Sequence, residues 1–508
     1  MTAQRTWTSP PATDWNAKLI AALFSVVLVF VWVAWTTFWD AGLYGDNVEQ
    51  FVWVHSLEWG YYKHPPMPTW ILGAVLYVIG PHSWLTNALA AVCFAVTGWL
   101  TWLIARHLFD EKVANTAIIL WTLQQSFSVS AQIYNHNTVL VMFMAATVYA
   151  LLLAQSQKNN YLYWFLAGLF AGCAMLSKYQ AVLTLFVLAV VVLTTNKLPL
   201  GQVLRQFSIA SVGFFLVFTP HFYWALANNF PTLRYASGAL ESGGIVQRAG
   251  WIASFFVNQL RMLFPLVLAL GIVWVTHKIS GALTGEEAPL VGKTNFPTSS
   301  RIWVWGLLWI PIAILIASSL VTGSQLRNHW GVQFFQFLSI WITLQIRHKE
   351  SFRLTLLIPV ALAVHLIGFS YYAIKQSDPT AVQSDRRADS AYPAIEMSKA
   401  ALAFWNTHTA CPLKIVGGDF EAGLVSAFTN TFPAVSSGSH ATPWVTPKQI
   451  EDSGILYVLE MGVALPPDTT AAKNWVFSSG NAKDGEIGKH VQLAVRLPLS
   501  PCNPRSGA

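Results

Sequence analysis

The chain has 508 residues, of which 54% are hydrophobic and only 10% charged, against about a quarter charged in an ordinary globular chain; this excludes a soluble enzyme and describes a polytopic membrane protein. Its net charge of +7, from 30 Lys and Arg against 23 Asp and Glu, is the excess that cytoplasmic loops supply, so no nucleic-acid partner is expected. Cys93, Cys173, Cys411 and Cys502 show no CxxC or other metal-ligand spacing, which argues against zinc and iron-sulfur chemistry.

A bilayer core about 30 Å thick needs roughly 20 apolar residues. That length cuts the sequence into about eleven helical spans, at 18–37, 84–105, 113–133, 137–156, 161–177, 180–196, 208–227, 251–276, 303–321, 332–346 and 354–373. The first 17 residues are polar, with no short apolar stretch and small-residue cleavage site, so the first span is read as uncleaved. The apolar run at 70–79 is too short to cross and is expected to lie at the interface. Thirteen Lys and Arg fall in one set of alternate short loops and five in the other. The positive-inside rule then puts the N-terminus in the cytoplasm and the C-terminal tail outside. Residues 1–373 are accordingly read as the membrane domain.

Residues 374–508 have a different texture. Apolar runs shorten to strand length at 413–416, 455–459 and 491–495. Pro393 suits the first turn of a helix over about 394–405, and the turn Gly417-Gly418-Asp419 precedes a second helix. The tail is read as a small α/β domain outside the membrane, where Cys411 and Cys502 are either a disulfide or two free thiols.

Charge is scarce near the spans, so the outer-side charges carry most of the functional information. The first outer loop, 38–68, holds Asp46-Asn47-Val48-Glu49-Gln50 and then Tyr61-Tyr62-Lys63-His64-Pro65-Pro66. A helix after Gly45 places Asp46, Glu49 and Gln50 on one face. Such a face either abstracts a proton or holds a cation, or simply solvates a loop helix beside an aromatic belt. Lys178, Arg234, Arg248, Arg261 and Arg327 with His329 are the other outer cations singled out. Gathered at headgroup depth they suit a phosphate; singly, each is able to snorkel to lipid. Arg261 lies about ten residues into the expected eighth span, where an unpaired cation costs at least roughly 2.5 kcal/mol, so it is expected to face a cavity or partner. No GxxxxGK[ST] loop, catalytic triad or HExxH motif is present.

Together, Gly45-Asp46-Asn47-Val48-Glu49 and Gly60-Tyr61-Tyr62-Lys63-His64-Pro65-Pro66, then Ser177-Lys178-Tyr179, Pro220-His221-Phe222-Tyr223-Trp224 and Arg327-Asn328-His329-Trp330, resemble the motifs of bacterial membrane glycosyltransferases of the protein O-mannosyltransferase superfamily. That group includes the aminoarabinose and galacturonic acid transferases of lipid A. The resemblance runs in order from about residue 38 to 335. It implies a GT-C fold, a polyprenyl-phosphate sugar donor, and transfer on the periplasmic face of the inner membrane to an envelope acceptor: lipid A or another glycolipid, a protein or a glycan. It also implies Asp46 as general base, or as a positioning group for an acceptor already ionised, Lys178 at the donor phosphate, and Arg327 and His329 beside it; the residues themselves add Glu49 as a second acid and Arg234 and Arg261 as further phosphate-binding cations. Tyr62, Lys63, His64 and Tyr179 would meet substrate. Two positions depart from the pattern: Asn47 stands where the family often has Glu, and Asn135-His136-Asn137 where it often has a second acid. No cofactor is called for, and a divalent metal is left open. The alternatives are a polyprenyl-lipid flippase or other transporter, disfavoured by the lack of internal repeats, and a noncatalytic envelope scaffold.

Overall fold

A computed structural model describes residues 15–157, 160–195, 198–238, 241–284, 296–346, 354–377, 388–438, 442–478 and 488–499. Among them six helices are long and apolar enough to cross a bilayer: Trp15–Trp39, Leu85–Leu108, His136–Ser156, Leu200–Ala227, Thr298–Thr322 and Leu354–Gln376. The pair Ile245–Met262 and Phe264–Ile279, bent by 57°, is long and apolar enough only when taken together, as a broken span or a re-entrant loop. The shorter apolar helices Met67–Ile79, Tyr161–Ser177 and Ala181–Thr195 complete the bundle. Met67–Ile79, at 13 residues, spans only about 20 Å, in keeping with an interfacial segment.

Three expected spans are broken, each for a local reason. In the stretch expected to be one span at 113–133, Asp110 caps the helix Glu111–Thr122 by accepting from Val113 N at 2.8 Å. That helix stops where Gln124, Gln125, Ser126 and Ser128 follow, since short polar side chains compete for backbone groups; Ser128 Oγ donates to the Gln124 carbonyl at 3.1 Å. The irregular backbone down to Asn135 is buried in protein, the condition under which non-helical chain is tolerated at membrane depth. The segment expected at 332–346 divides into Gly331–Phe334 and Leu338–Ile346. Around that break the amides of Gln333 and Gln336 are buried on Thr184 Oγ1 at 2.8 Å and the Val141 carbonyl at 2.9 Å. The third break, at Leu263, precedes Pro265, which lacks an N–H and sits in the first turn of the following helix.

Helix Tyr161–Ser177 packs on Leu200–Ala227 through glycine. A Cβ on Gly168 would stand 1.7 Å from the Ala210 carbonyl oxygen, and one on Gly213 2.2 Å from that of Phe165. This is the close backbone approach that small residues permit between membrane helices.

The C-terminal residues form a five-stranded sheet in the order β2-β1-β3-β5-β4. The strands are β1 Ile415–Gly417, β2 Ala434–Ser436, β3 Ile455–Glu460, β4 Ala471–Ser478 and β5 Gly488–Arg496. β1 runs parallel to β2 and β3, and β5 antiparallel to β3 and β4. Helices Ala394–His408 and Phe420–Phe428 accompany it, close to the expected bounds. Cys411 is disulfide-bonded while Cys93 and Cys173 are free; Cys502, its expected partner, lies outside the described residues. One apolar core joins this sheet to the first outer loop, with Val48, Phe51 and Trp53 packed alongside Met397, Trp405, Val416 and Leu424. Gly423 permits the contact, since a Cβ there would meet Val48 Cγ1 at 2.3 Å.

Gly168→Leu is expected to cost about 3 kcal/mol or more through overpacking. Gly201→Leu, at a position with nothing within 4 Å, should leave thermal stability in detergent nearly unchanged; melting curves of the two variants check this.

Candidate active site

The site begins with the helix Gly45–Trp53. Its anchor is Asn47, fully buried at 0% exposure. The Asn47 Nδ2 donates to Asn87 Oδ1 at 2.7 Å, the Gln132 carbonyl at 3.1 Å and Thr86 Oγ1 at 3.2 Å, while its Oδ1 accepts from Tyr134 N at 3.0 Å. A neutral amide satisfies this pocket, whereas a carboxylate would meet the Asn87 and Gln132 oxygens without a proton to offer. The departure at Asn47 is thus a packing solution. Gln50, expected on the face of Asp46 and Glu49, is also buried and accepts from Thr69 Oγ1 at 2.8 Å. Gly45 N donates to Asp389 Oδ2 at 3.0 Å, so the C-terminal region clasps the start of this helix.

With the helix fixed, Asp46 stands exposed in its first turn, where the helix dipole favours a carboxylate. Asp46 Oδ2 accepts from Asn135 Nδ2 at 2.7 Å. Asn135 is also the N-cap of His136–Ser156, its Oδ1 accepting from Asn137 N at 2.8 Å and Thr138 N at 3.0 Å. Two residues on, Asn137 Oδ1 accepts from Lys178 Nζ at 2.9 Å. One helical turn therefore holds the acid and the lysine through two amides. Lys178 ends the helix Tyr161–Ser177 in extended conformation. Burial pulls its pKa down to about 8, with Asp46 opposing the shift and Lys63 adding to it.

Beside this chain Lys63 Nζ pairs with Glu49 Oε2 at 2.7 Å. Burial pushes Glu49 up to about 7, against the pull of Lys63 and with a further push from Asp46. The His64 and His136 rings lie 4.0 Å apart, and burial holds His64 neutral, with neighbouring His136 and the lysines adding to the effect. Glu49, His64 and His136 each offer a ligand atom, all within 4.8 Å of one another. This trio is the set of described residues able to hold a metal.

Asp46, Glu49, Lys63, His64 and Lys178 are thus brought together as expected. Arg327 and His329 join their rim, close enough for Lys178, Arg327 and Lys63 to act on His329. Tyr62 is half-buried and lines, with Glu49, Trp53, Asp419 and Ser437, a cavity of about 200 Å³ between the loop helix and the C-terminal sheet. Tyr179 is occupied elsewhere: its hydroxyl bonds His221 Nε2 at 2.6 Å, and His221 Nδ1 donates to the Trp59 carbonyl at 2.6 Å. Arg234 is exposed and donates to the Asn228 carbonyl at 3.2 Å. Arg261 is exposed at the last turn before the bend at Leu263; the break removes the mid-span setting that made a cavity or partner expected. Sequence reasoning noted Asn135, His136 and Asn137 only as a departure from a family pattern and gave them no role, although an Asn followed by a long apolar run marks a helix N-cap.

Residues 63–224 match the model of the family described as dolichyl-phosphate-mannose-protein mannosyltransferase, a stretch that includes Lys63, His64, Asn135, Asn137 and Lys178. The lipid A galacturonosyltransferase RgtD of Rhizobium johnstonii is 20% identical over 325 residues, which cover 62% of this chain and 63% of that protein. Among solved structures, ArnT from Cupriavidus metallidurans bound to undecaprenyl phosphate aligns over 95% of this chain and 98% of its own, with a TM-score of 0.54 and 13% identity. Its apo state aligns over 94% and 98%, with a TM-score of 0.52 and 15% identity. The chain has the GT-C membrane glycosyltransferase fold. Within this GT-C frame the loop 38–68, the turn at Asn135 and the end of the helix at Ser177 converge on one cleft.

Lys178 is a cation below its pKa of about 8 and neutral above it. Affinity for an anionic ligand is therefore expected to fall as pH rises through 8, visible as a rising KM. Asn137→Ala, which removes the partner of Lys178, should move that profile, and a pH series on both proteins checks it.

Proposed function

We propose that this GT-C protein is a glycosyltransferase that moves one sugar from a polyprenyl-phosphate carrier to a cell-envelope acceptor, lipid A or a related glycolipid first among them. The single observation that carries this reading is the tie from Asp46 through Asn135 and Asn137 to Lys178, a carboxylate and an ammonium held on one helical turn. Transfer needs both. The acceptor oxygen forms a bond to the anomeric carbon and gives its proton to Asp46. The bond from that carbon to the phosphate oxygen breaks, and its electron pair leaves on the lipid phosphate, where Lys178 meets the charge.

The names of the similar proteins support the substrate classes: one acts on lipid A, one holds undecaprenyl phosphate, and the matching family takes dolichyl-phosphate-mannose. The basic loops support an N-terminus in the cytoplasm and, with it, a cleft and residues 374–508 on the periplasmic side of the inner membrane. Glu49 and Tyr62 line the cavity under the C-terminal sheet and Lys63 pairs with Glu49; the three are assigned to the acceptor side. Arg327 and His329 are assigned to the donor phosphate with Lys178.

Asp46→Asn keeps an oxygen able to accept from Asn135 and removes the basicity. In proteoliposomes given a polyprenyl-phosphate-linked sugar and lipid A, it is expected to lower kcat about 10²-fold or more with little change in donor KM. Lys178→Ala should instead raise donor KM as well as lower kcat. Wild-type turnover in Asp46→Asn would contradict the assignment.

A further inference from the structure

We propose that Glu49, His64 and His136 form a binding site for a divalent transition metal of the zinc type, with coordination positions left over for a substrate oxygen. The inference goes beyond the transfer reading and does not depend on it.

Three observations carry it. First, the donor set is two imidazoles and one carboxylate, each with a ligand atom within 4.8 Å of the other two. Imidazole with carboxylate suits zinc, iron or cobalt, whereas magnesium and calcium prefer all-oxygen sites. Second, His136 is 3% exposed, and its Nε2 is buried with no hydrogen-bond partner among the described residues. An unpartnered buried ring nitrogen is costly, and a metal would satisfy it. The Pro65 carbonyl stands close enough to act on the same ring. Third, the frame around the trio is stiff. His64 is followed by Pro65 and Pro66, and the Trp53 ring lies 5.6 Å from His136 and 6.4 Å from His64.

Zinc–ligand bonds of about 2.0–2.2 Å require the three atoms to draw closer than 4.8 Å, a movement open to half-buried His64. Lys63 holds one oxygen of Glu49, and the carboxylate has a second to offer. Asp46 and Glu49 formally balance Lys63 and Lys178, so a bound dication would leave the cleft with a surplus of positive charge. That surplus suits a phosphate-bearing ligand.

The test uses the full chain without a histidine tag, purified in detergent, stripped with EDTA and re-dialysed against zinc or cobalt. Expected are one zinc per chain by elemental mass spectrometry and visible ligand-field bands on adding cobalt. His64→Ala and His136→Gln should each weaken binding about 10-fold or more. Should His136→Gln fail to fold, His64→Ala and Glu49→Gln decide the matter, since neither removes a fully buried side chain. A wild-type chain that takes up no zinc or cobalt, or variants that bind as tightly as wild type, would overturn the proposal. No sugar donor enters the measurement, so loss of the metal site leaves the transferase reading standing, and loss of transferase activity leaves the metal site standing.

Discussion

The amide of Asn47 is the constraint from which the rest of the site follows. It ties the loop helix to the membrane helices in a pocket without exposure, its two amide protons shared among three oxygens and its own oxygen accepting one bond. Each such bond is worth about 1 kcal/mol net, and leaving any partner unpaired costs more. Because Asn47 fixes the helix Gly45–Trp53, Asp46 falls beside Asn135 and Glu49 beside Lys63. The same helix supplies Val48, Phe51 and Trp53 to the core shared with the C-terminal sheet. Anchoring and docking are therefore one event, and the cavity between them is defined by it.

The site also shows how a charge-poor protein handles ions near a membrane. Bare charges are expensive there, and direct pairing of Asp46 with Lys178 would neutralise both. Two amides stand between them instead. Asn135 and Asn137 each give the adjacent ion a hydrogen bond while keeping it available to substrate. A carboxylate at this turn would pair with Lys178 directly, whereas the two amides with His136 between them leave the turn uncharged.

Much of this was legible in the sequence. Apolar length alone located Tyr161–Ser177 at 161–177 and most other spans to within a few residues. The charged residues Asp46, Glu49, Lys63 and Lys178 were legible because charge is rare in the chain and clustered outside the spans. The breaks at 123–135, Leu263 and 335–337 were not, since buried Gln and Ser residues look like ordinary polar content until their partners are known. Asn47, Asn135 and Asn137 stood out only as departures from a family pattern and were given no role for the same reason: a neutral amide shows no sign in a charge count, and its part lies in partners 40 to 90 residues away. Arg234 and Arg261 are exposed, Arg261 just before a bend, which a charge count does not show.

The central claim is that Lys178 and the turn at Asn135 to Asn137 mark where the donor phosphate and the reacting acid meet. The most direct measurement is an electron cryomicroscopy structure of the chain with a bound polyprenyl phosphate. The account predicts phosphate density in contact with Lys178 Nζ and within reach of Asp46, with the lipid tail running into the bilayer. Density for the phosphate at Arg234 or Arg261, with Lys178 still on Asn137, would contradict it.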